Sequence, residues 1–260
     1  MPEQPLSPPP LPPTAPHGWR VEVSTGDAGP FHHRPIPRPA EPTVWIHHVR
    51  RPALVLGSTQ ADDDVDVESA TEAGVEVCRR RSGGGIVALH PGVECWIDVI
   101  VPRESLLWDD DVGRAFDWLG RVWVDTLCSL PALAPVTDTV VAHQGPLEGA
   151  AAGRLLCFAS LGPGEVTVEG RKVVGISQRR TRDAARFQSA AVGRWEPSLL
   201  LRHVRPDRLT TLGLDPTTMP VGSTRTPWPS PDELAAEFCR RLPPPLPAAG
   251  KNPSRSSTTD

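Results

Sequence analysis

The chain has 260 residues, enough for one sizeable domain and a buried core. Its formal charge of −4 excludes a generic nucleic-acid binder, which is basic across its domain, so any basic site must be local. Five scattered cysteines without C-x-x-C spacing exclude a disulfide or zinc framework, and no metal site is expected. No basic and then apolar leader opens the chain, and no apolar run reaches membrane-spanning length, so we expect a cytoplasmic protein without a membrane partner. The 32 prolines crowd toward the termini, which marks residues 1–16 as an N-terminal tail that cannot pack a core.

In chain order, residues 18–23 suggest a short strand. Val44–Val49 and Ala53–Gly57 then read as a strand pair joined by an Arg-Arg-Pro turn. Asp62–Asp66 precede a short helix over 67–73 closed by Gly74, and negative charge suits a helix N-terminus. A metal site is the sharper but less favoured reading of those aspartates.

The stretch Cys78-Arg79-Arg80-Arg81-Ser82-Gly83-Gly84-Gly85-Ile86-Val87 reads as strand, loop, strand. Three glycines strip one backbone segment of side chains, and the arginines add positive charge beside it, which suits an anion cradle. A flexible surface loop is the plainer alternative. Strand alternation turns Arg80 inward and Arg79 and Arg81 outward.

Residues 94–102 read as a buried strand. Asp109–Asp111 open a predicted helix whose stripe is Val112, Ala115, Phe116, Leu119, Val122, Trp123, Thr126 and Leu127. Residues 136–143 and 155–158 read as strands. A hairpin follows, with Glu165–Val168 and Arg171–Ser177 turning at Glu169-Gly170, and a second arm near 187–193. Pro197–Val204 suggests a short helix. Ser230-Pro231-Asp232-Glu233 combines an N-cap serine, a first-turn proline and a capping-box glutamate, starting a helix to about Leu242. Short turns between strands and one long amphipathic helix give an α+β fold, a mixed β-sheet with packed helices. The main domain is expected to span 17–204, with 205–260 an extension of one helix and a tail.

Lys172 follows the tight turn, where it serves either as an anion contact or as an edge-strand lysine that blunts aggregation. Arg-Arg-x-Ser-Gly-Gly-Gly-x-Val, preceded by Leu54–Gln60 and followed by Gly170-x-Lys172-x-x-Gly175-x-x-Gln178, resembles the lipoate-protein ligase branch of the biotin and lipoate protein ligase family. The similarity runs from about Pro52 to Gly193. The resemblance implies a catalytic domain of the class II aminoacyl-tRNA synthetase and biotin protein ligase type. The implied enzyme uses ATP, with Mg2+, to convert lipoate or octanoate into an acyl adenylate. It then passes the acyl group to a lysine of a lipoyl domain, in 2-oxoacid dehydrogenase E2 subunits, or of glycine-cleavage H protein.

By the same resemblance Lys172 contacts the carboxyl and phosphate oxygens and Arg80 lies beside the lipoyl and phosphate site. Ser82, Gly83, Gly84 and Gly85 wrap the adenylate, Val87 lines the acyl tunnel, and Gly175 and Ser177 let the ligand lie close. A family histidine after the glycine motif falls on Leu89, with His90 one residue later, and a second falls on Gln188. The N-terminal helix that roofs the acyl pocket has no evident counterpart before Trp45, and no accessory domain of the kind some ligases carry is expected within 204–260, which makes an accessory ligase subunit a candidate partner. Two alternatives stay open: an octanoyl or lipoyl transferase working without ATP, and a non-catalytic lipoyl- or adenylate-binding member. The transferase needs a cysteine nucleophile after the lysine, and none occurs between Lys172 and Cys239. Cys78, Cys95 and Cys157 are expected to pack as small hydrophobes.

Overall fold

In the computed structural model, residues 18–149, 153–193, 201–211 and 227–245 are described. Seven strands form one mixed sheet in the order β1 (Arg20–Gly26), β2 (Thr43–Val49), β6 (Cys95–Pro102), β10 (Ala184–Ala191), β9 (Arg171–Arg180), β8 (Val166–Val168), β7 (Val141–Ala142). Only the β1–β2 pairing is parallel. All eight residues of β6 are buried, which explains its nearly unbroken apolar sequence.

A second sheet of three strands, β4 (Glu76–Arg79), β3 (Ala53–Leu56) and β5 (Val87–Leu89), carries the glycine-rich loop between β4 and β5. β2 and β3 therefore do not form the expected hairpin. β2 pairs with β1 and β6, and β3 pairs with β4 in parallel and β5 in antiparallel. The chain changes sheets at the Arg50-Arg51-Pro52 turn, because both strands are buried and each needs its own neighbours.

Helix α1 (Ala28–His33) crosses between β1 and β2. Its first two N–H groups, on Ala28 and Gly29, donate to the Glu76 carboxylate of β4, each at 2.9 Å, so the small sheet caps the helix of the large one. A Cβ at position 29 would stand 2.9 Å from that carboxylate, so a larger residue there would push the Glu76 side chain aside. α1 is the helical cover that the proline-broken sequence concealed.

α2 (Val67–Glu72) is N-capped by Asp66, whose side chain accepts from Ser69 N at 3.0 Å, and Gly74 follows at φ +73°. Buried Asp64 pairs with Arg208 at 2.7 Å. The acidic run thus serves a cap and an ion pair, and no metal-holding group of three or more acidic, histidine or cysteine residues occurs among the described residues.

The long helix α3 (Asp117–Ser129) starts later than expected. Asp111 Oδ1 accepts from the N–H groups of Gly113 and Arg114, holding a turn that leaves Val112 exposed. Trp118, Leu119, Val122, Trp123, Thr126 and Leu127 form its buried face. The capping box of α5 (Pro231–Arg241) forms as read, and α5 packs on α3 with the Trp123 and Phe238 rings 4.7 Å apart. The region from 205 onward contributes two described helices, α4 (Pro206–Thr211) and α5, and α5 lies in the main core.

Two expected strands are mostly 3-10 structure. Pro131 and Pro135 tighten 131–139, leaving strand only at Val141–Ala142, and Cys157–Ala159 make a single 3-10 turn. Residues 197–200 of the leucine cluster at 197–204, residues 1–17 and residues 246–260 lie outside the described residues. No described helix is long and apolar enough to cross a membrane.

Candidate functional site

Where the glycine-rich loop of the small sheet meets β9 and β10 of the large one, a narrow cavity of about 40 Å³ opens. Its walls include Arg80, Val87, Phe158, Gly175, Ser177 and Gln188. That volume admits about three water-sized probes, so an acyl chain enters only as the walls yield.

Arg80 points inward, as strand alternation requires, and is 4% exposed. Its guanidinium donates to three backbone carbonyls: Val55 O at 3.1 Å, Gly83 O at 2.8 Å and Gly85 O at 2.8 Å. The loop is therefore folded around the planar fork of one arginine, a geometry that a lysine does not reproduce. Gly84 adopts φ +98°, and a Cβ on Gly57 would stand 1.9 Å from Gly84 O, so the loop presses directly on β3. Arg79 turns away, donating to Gly57 O and Gln60 O and pairing with Asp62.

Ser82, 3% exposed, faces across to Ser177, with hydroxyl oxygens 2.9 Å apart, and donates to Gln188 Oε1 at 3.4 Å. The loop, β9 and β10 are thus joined by one polar chain.

Lys172 is no edge-strand lysine: β9 lies between β10 and β8, and the side chain is buried. The β8–β9 turn that launches it has Glu169 and Gly170 both at positive φ, as a two-residue hairpin needs. Its ammonium lies 2.7 Å from Glu165 Oε2 and donates to Cys157 O at 2.8 Å and Ser160 O at 3.0 Å. Glu165 is itself held by the N–H groups of Gly162 and Ile176. Burial alone pushes the Lys172 pKa down, but the Cys157 sulfur and the Glu165 carboxylate outweigh it and leave the pKa raised, so this lysine is a fixed positive charge.

Arg80 and Lys172 approach the cavity by different routes. Arg80 lines it, whereas Lys172 stands just behind the wall made by Cys157, Phe158 and Gly175. A Cβ at Gly175 would meet Lys172 Cε at 3.4 Å, so glycine keeps the wall thin at that point.

His90 is not brought into this cavity. It is held by Glu94, whose hydrogen bond raises the imidazole pKa, and Leu89 faces the cavity in its place. The reading of the sequence also missed several residues. Cys157, expected as core packing, is half-buried on the cavity wall with its sulfur 3.9 Å from Lys172 Nζ. Glu165 is Lys172's carboxylate partner, for which Gly162-Pro163-Gly164 ahead of it is the only local cue. His32 reaches the cavity from α1, and its Nδ1 lies 3.1 Å from Gln188 Nε2. Beneath them Asp98 binds Arg186, His47 and Trp96. Burial pushes that carboxyl up, but Arg186 and His47 hold it well below the usual carboxylate range.

A wider groove of about 460 Å³ lies beside the glycine-rich loop, lined by Arg38, Arg81 and Arg179 with Asp183. Burial lowers the Arg179 pKa, and the neighbouring Arg81 and Arg186 charges lower it further, so like charges crowd this part of the groove.

No curated protein matches the chain. Among solved structures it is similar in fold to protein Ta0514 of T. acidophilum, with TM-score 0.56, 15% identity, and 85% of this chain and 82% of the other covered. It is likewise similar to a bi-partite lipoate protein ligase from Thermoplasma acidophilum, described with its E2 lipoyl domain, at TM-score 0.54, 17% identity, and 86% and 82% coverage. A lipoate-protein ligase A bound with ATP gives TM-score 0.53 at 15% identity, with 85% and 82% covered. These likenesses establish the expected α+β ligase-type fold. The family model for the lipoyl protein ligase A/B catalytic domain matches residues 31–234, a span that holds the glycine-rich loop, the Lys172 hairpin and most of the sheet, and the chain therefore belongs to that family.

Proposed function

We propose that the protein is an ATP-dependent lipoate or octanoate protein ligase. The observation that carries this reading is the arrangement of two cations, Arg80 on the cavity wall and Lys172 directly behind it, beside a side-chain-free loop. A carboxylate is a poor electrophile. In the proposed first step its oxygen attacks the α-phosphorus of ATP, a C–O–P linkage forms and pyrophosphate leaves. An acceptor lysine amine then attacks the carbonyl carbon, an amide forms and AMP departs with the electron pair of the broken C–O bond.

Negative charge grows on oxygen in both steps, and a fixed ammonium close by stabilises it more than water can. Lys172 meets this requirement when it turns from Cys157 O and Ser160 O toward the cavity, with Glu165 holding it at rest. Ser82 and the Gly83–Gly85 backbone lie against the adenylate, and Val87, Phe158 and Ile176 take the acyl chain. The arginine groove is placed for the nucleotide phosphates. Mg2+ would be carried in on those phosphates, whose charge it would neutralise beside the arginine groove. Lipoyl domains are the proposed acceptors, in line with the partner named for the similar archaeal ligase. An accessory ligase subunit remains a candidate for completing the site, and the cytoplasm is the proposed location.

The test supplies ATP, Mg2+, lipoate or octanoate and a lipoyl domain. Pyrophosphate release and a mass increase on the domain are expected, and both are lost in Lys172→Ala. Neither product from the wild-type chain overturns the reading.

A second reading is favoured by Cys157, whose sulfur lies at the cavity beside the Lys172 ammonium. There the Cys157 sulfur attacks an acyl carrier thioester and gives up its proton, a new C–S bond forms, and the carrier's C–S bond breaks so that its sulfur leaves with the electron pair and takes up that proton, all without ATP. Acyl transfer that ignores ATP and vanishes in Cys157→Ser selects this reading over the ligase.

A further inference from the structure

His32 lines the cavity and carries a buried ring nitrogen that has no hydrogen-bond partner among the described residues. The ring is 6% exposed, stacks on Trp96 with centroids 4.5 Å apart, and its Nε2 has no partner. The other ring nitrogen, Nδ1, meets the Gln188 amide nitrogen at 3.1 Å.

The amide's orientation is fixed by its other neighbours. Gln188 Oε1 receives the Ser82 hydroxyl, and Gln188 Nε2 lies 3.5 Å from Asp98 Oδ2. A flipped amide would set its oxygen against that carboxylate, which is also bound by Arg186 and His47. Gln188 therefore donates to Nδ1, and an imidazole that accepts there carries its proton on Nε2. Burial, reinforced by Arg80 and Arg186 against the pull of Asp98, brings the His32 pKa down to about 3, which keeps the ring neutral.

His32 sits two strands away from the neighbourhood of Lys172. His32 lies on Trp96 of β6, Trp96 is in register with Ala190 of β10, and Ala190 with Gly175 of β9, which Lys172 touches. Two inter-strand spacings separate the ends, roughly 10 Å. Around His32 the walls are Val55, Leu89 and Trp96. A saturated tail lying here leaves a buried N–H unpaired, whereas a tail with an acceptor atom pairs it.

We propose that His32 Nε2–H is a specificity donor, selecting carboxylic acids whose tail carries a hydrogen-bond acceptor, oxygen or sulfur, over saturated alkyl acids of the same length. This rests on the proposed acyl site. Oxygen is the stronger acceptor and sulfur the weaker, so an oxo acid gives the clearest signal.

The experiment measures binding of 7-oxooctanoate, lipoate and octanoate by calorimetry without ATP, in the wild-type chain and in His32→Phe, whose flat ring keeps the stack on Trp96. The wild type is expected to bind 7-oxooctanoate about tenfold more tightly than octanoate, with lipoate between. In His32→Phe that ratio falls to about one, chiefly because octanoate binds better. A second measurement needs no variant: nitrogen-15 spectra of the wild-type histidines show His32 protonated at Nε2, and 7-oxooctanoate shifts that resonance while octanoate does not. An unchanged ratio in His32→Phe, a wild-type preference for octanoate, or a proton on Nδ1 overturns the inference and leaves the acyl site standing. If no acid binds the wild type, the acyl site falls and the inference with it. Discrimination among acids without pyrophosphate release on adding ATP supports the inference and removes only the ligase.

Discussion

The two ends of the cavity hold polar groups in opposite states. Behind the wall at one end the Lys172 ammonium is saturated by a carboxylate and two carbonyls; at the other, the neutral His32 has a buried N–H with no acceptor. A saturated charge is rigid, and its release toward a ligand requires replacement contacts of equal strength. An unsaturated donor is already costly, so a ligand that pairs it gains affinity at once. The Lys172 end is therefore suited to chemistry and the His32 end to choice.

The largest effect is expected on breaking the charged end. Lys172→Met leaves Glu165, its side chain 6% exposed, without its cation, which should cost ~3–5 kcal/mol of stability in chemical denaturation. The double variant Lys172→Met/Glu165→Gln should recover much of that stability yet remain inactive, separating the lysine's structural part from its chemical one. A double variant with restored activity would deny Lys172 any role in the chemistry.

Next comes the loop between the ends. Arg80→Lys keeps the charge but loses the fork that joins Val55 O, Gly83 O and Gly85 O, and a cost of about 1–3 kcal/mol is expected with faster hydrogen exchange across Gly83–Gly85. Gly57→Ala drives a methyl into Gly84 O and should cost about 1–3 kcal/mol, displacing the same loop without touching a charged group. Wild-type exchange rates in either variant would mean that the loop does not depend on these contacts.

The smallest effect concerns pH. His32 has a folded pKa of about 3 against an ordinary 6.5, so the unfolded chain binds more protons between those values. Its contribution is fully present above pH 6.5 and is lost as pH falls from there toward 3. His90 has the opposite sign: its raised pKa gives stability at low pH that is lost as pH rises through it. Thermal melts from pH 7.5 to 4 should show a decline that is shallower in His32→Phe. An identical slope would assign the decline to other groups.

What the sequence made legible follows local rules. Alternation turned Arg80 inward and Arg79 outward, the Glu169-Gly170 turn launched Lys172, and the capping box set the start of α5. Alternation also settles His90: Val87 and Leu89 share a face of β5, so the next residue turns away from the cavity. What stayed hidden depends on distant partners. α1 is six residues in a glycine- and proline-broken stretch, capped by Glu76 far along the chain, so neither the helix nor His32's position has a local signature. Cys157 reads as one apolar residue among several until the 3-10 turn brings its carbonyl and sulfur to Lys172. The helix placed at Asp109 fails for a local reason instead, since Asp111 accepts from Gly113 and Arg114 and holds a turn ahead of the helix.

The account turns on whether the cation pair serves acyl activation by ATP. Pyrophosphate release should be followed with ATP, Mg2+ and lipoate, with and without a lipoyl domain, in the wild type and in Lys172→Met/Glu165→Gln. Release is expected from the wild type, amplified by the acceptor domain and absent in the stable double variant. No pyrophosphate, together with acyl transfer from a carrier thioester that Cys157→Ser abolishes, would contradict it.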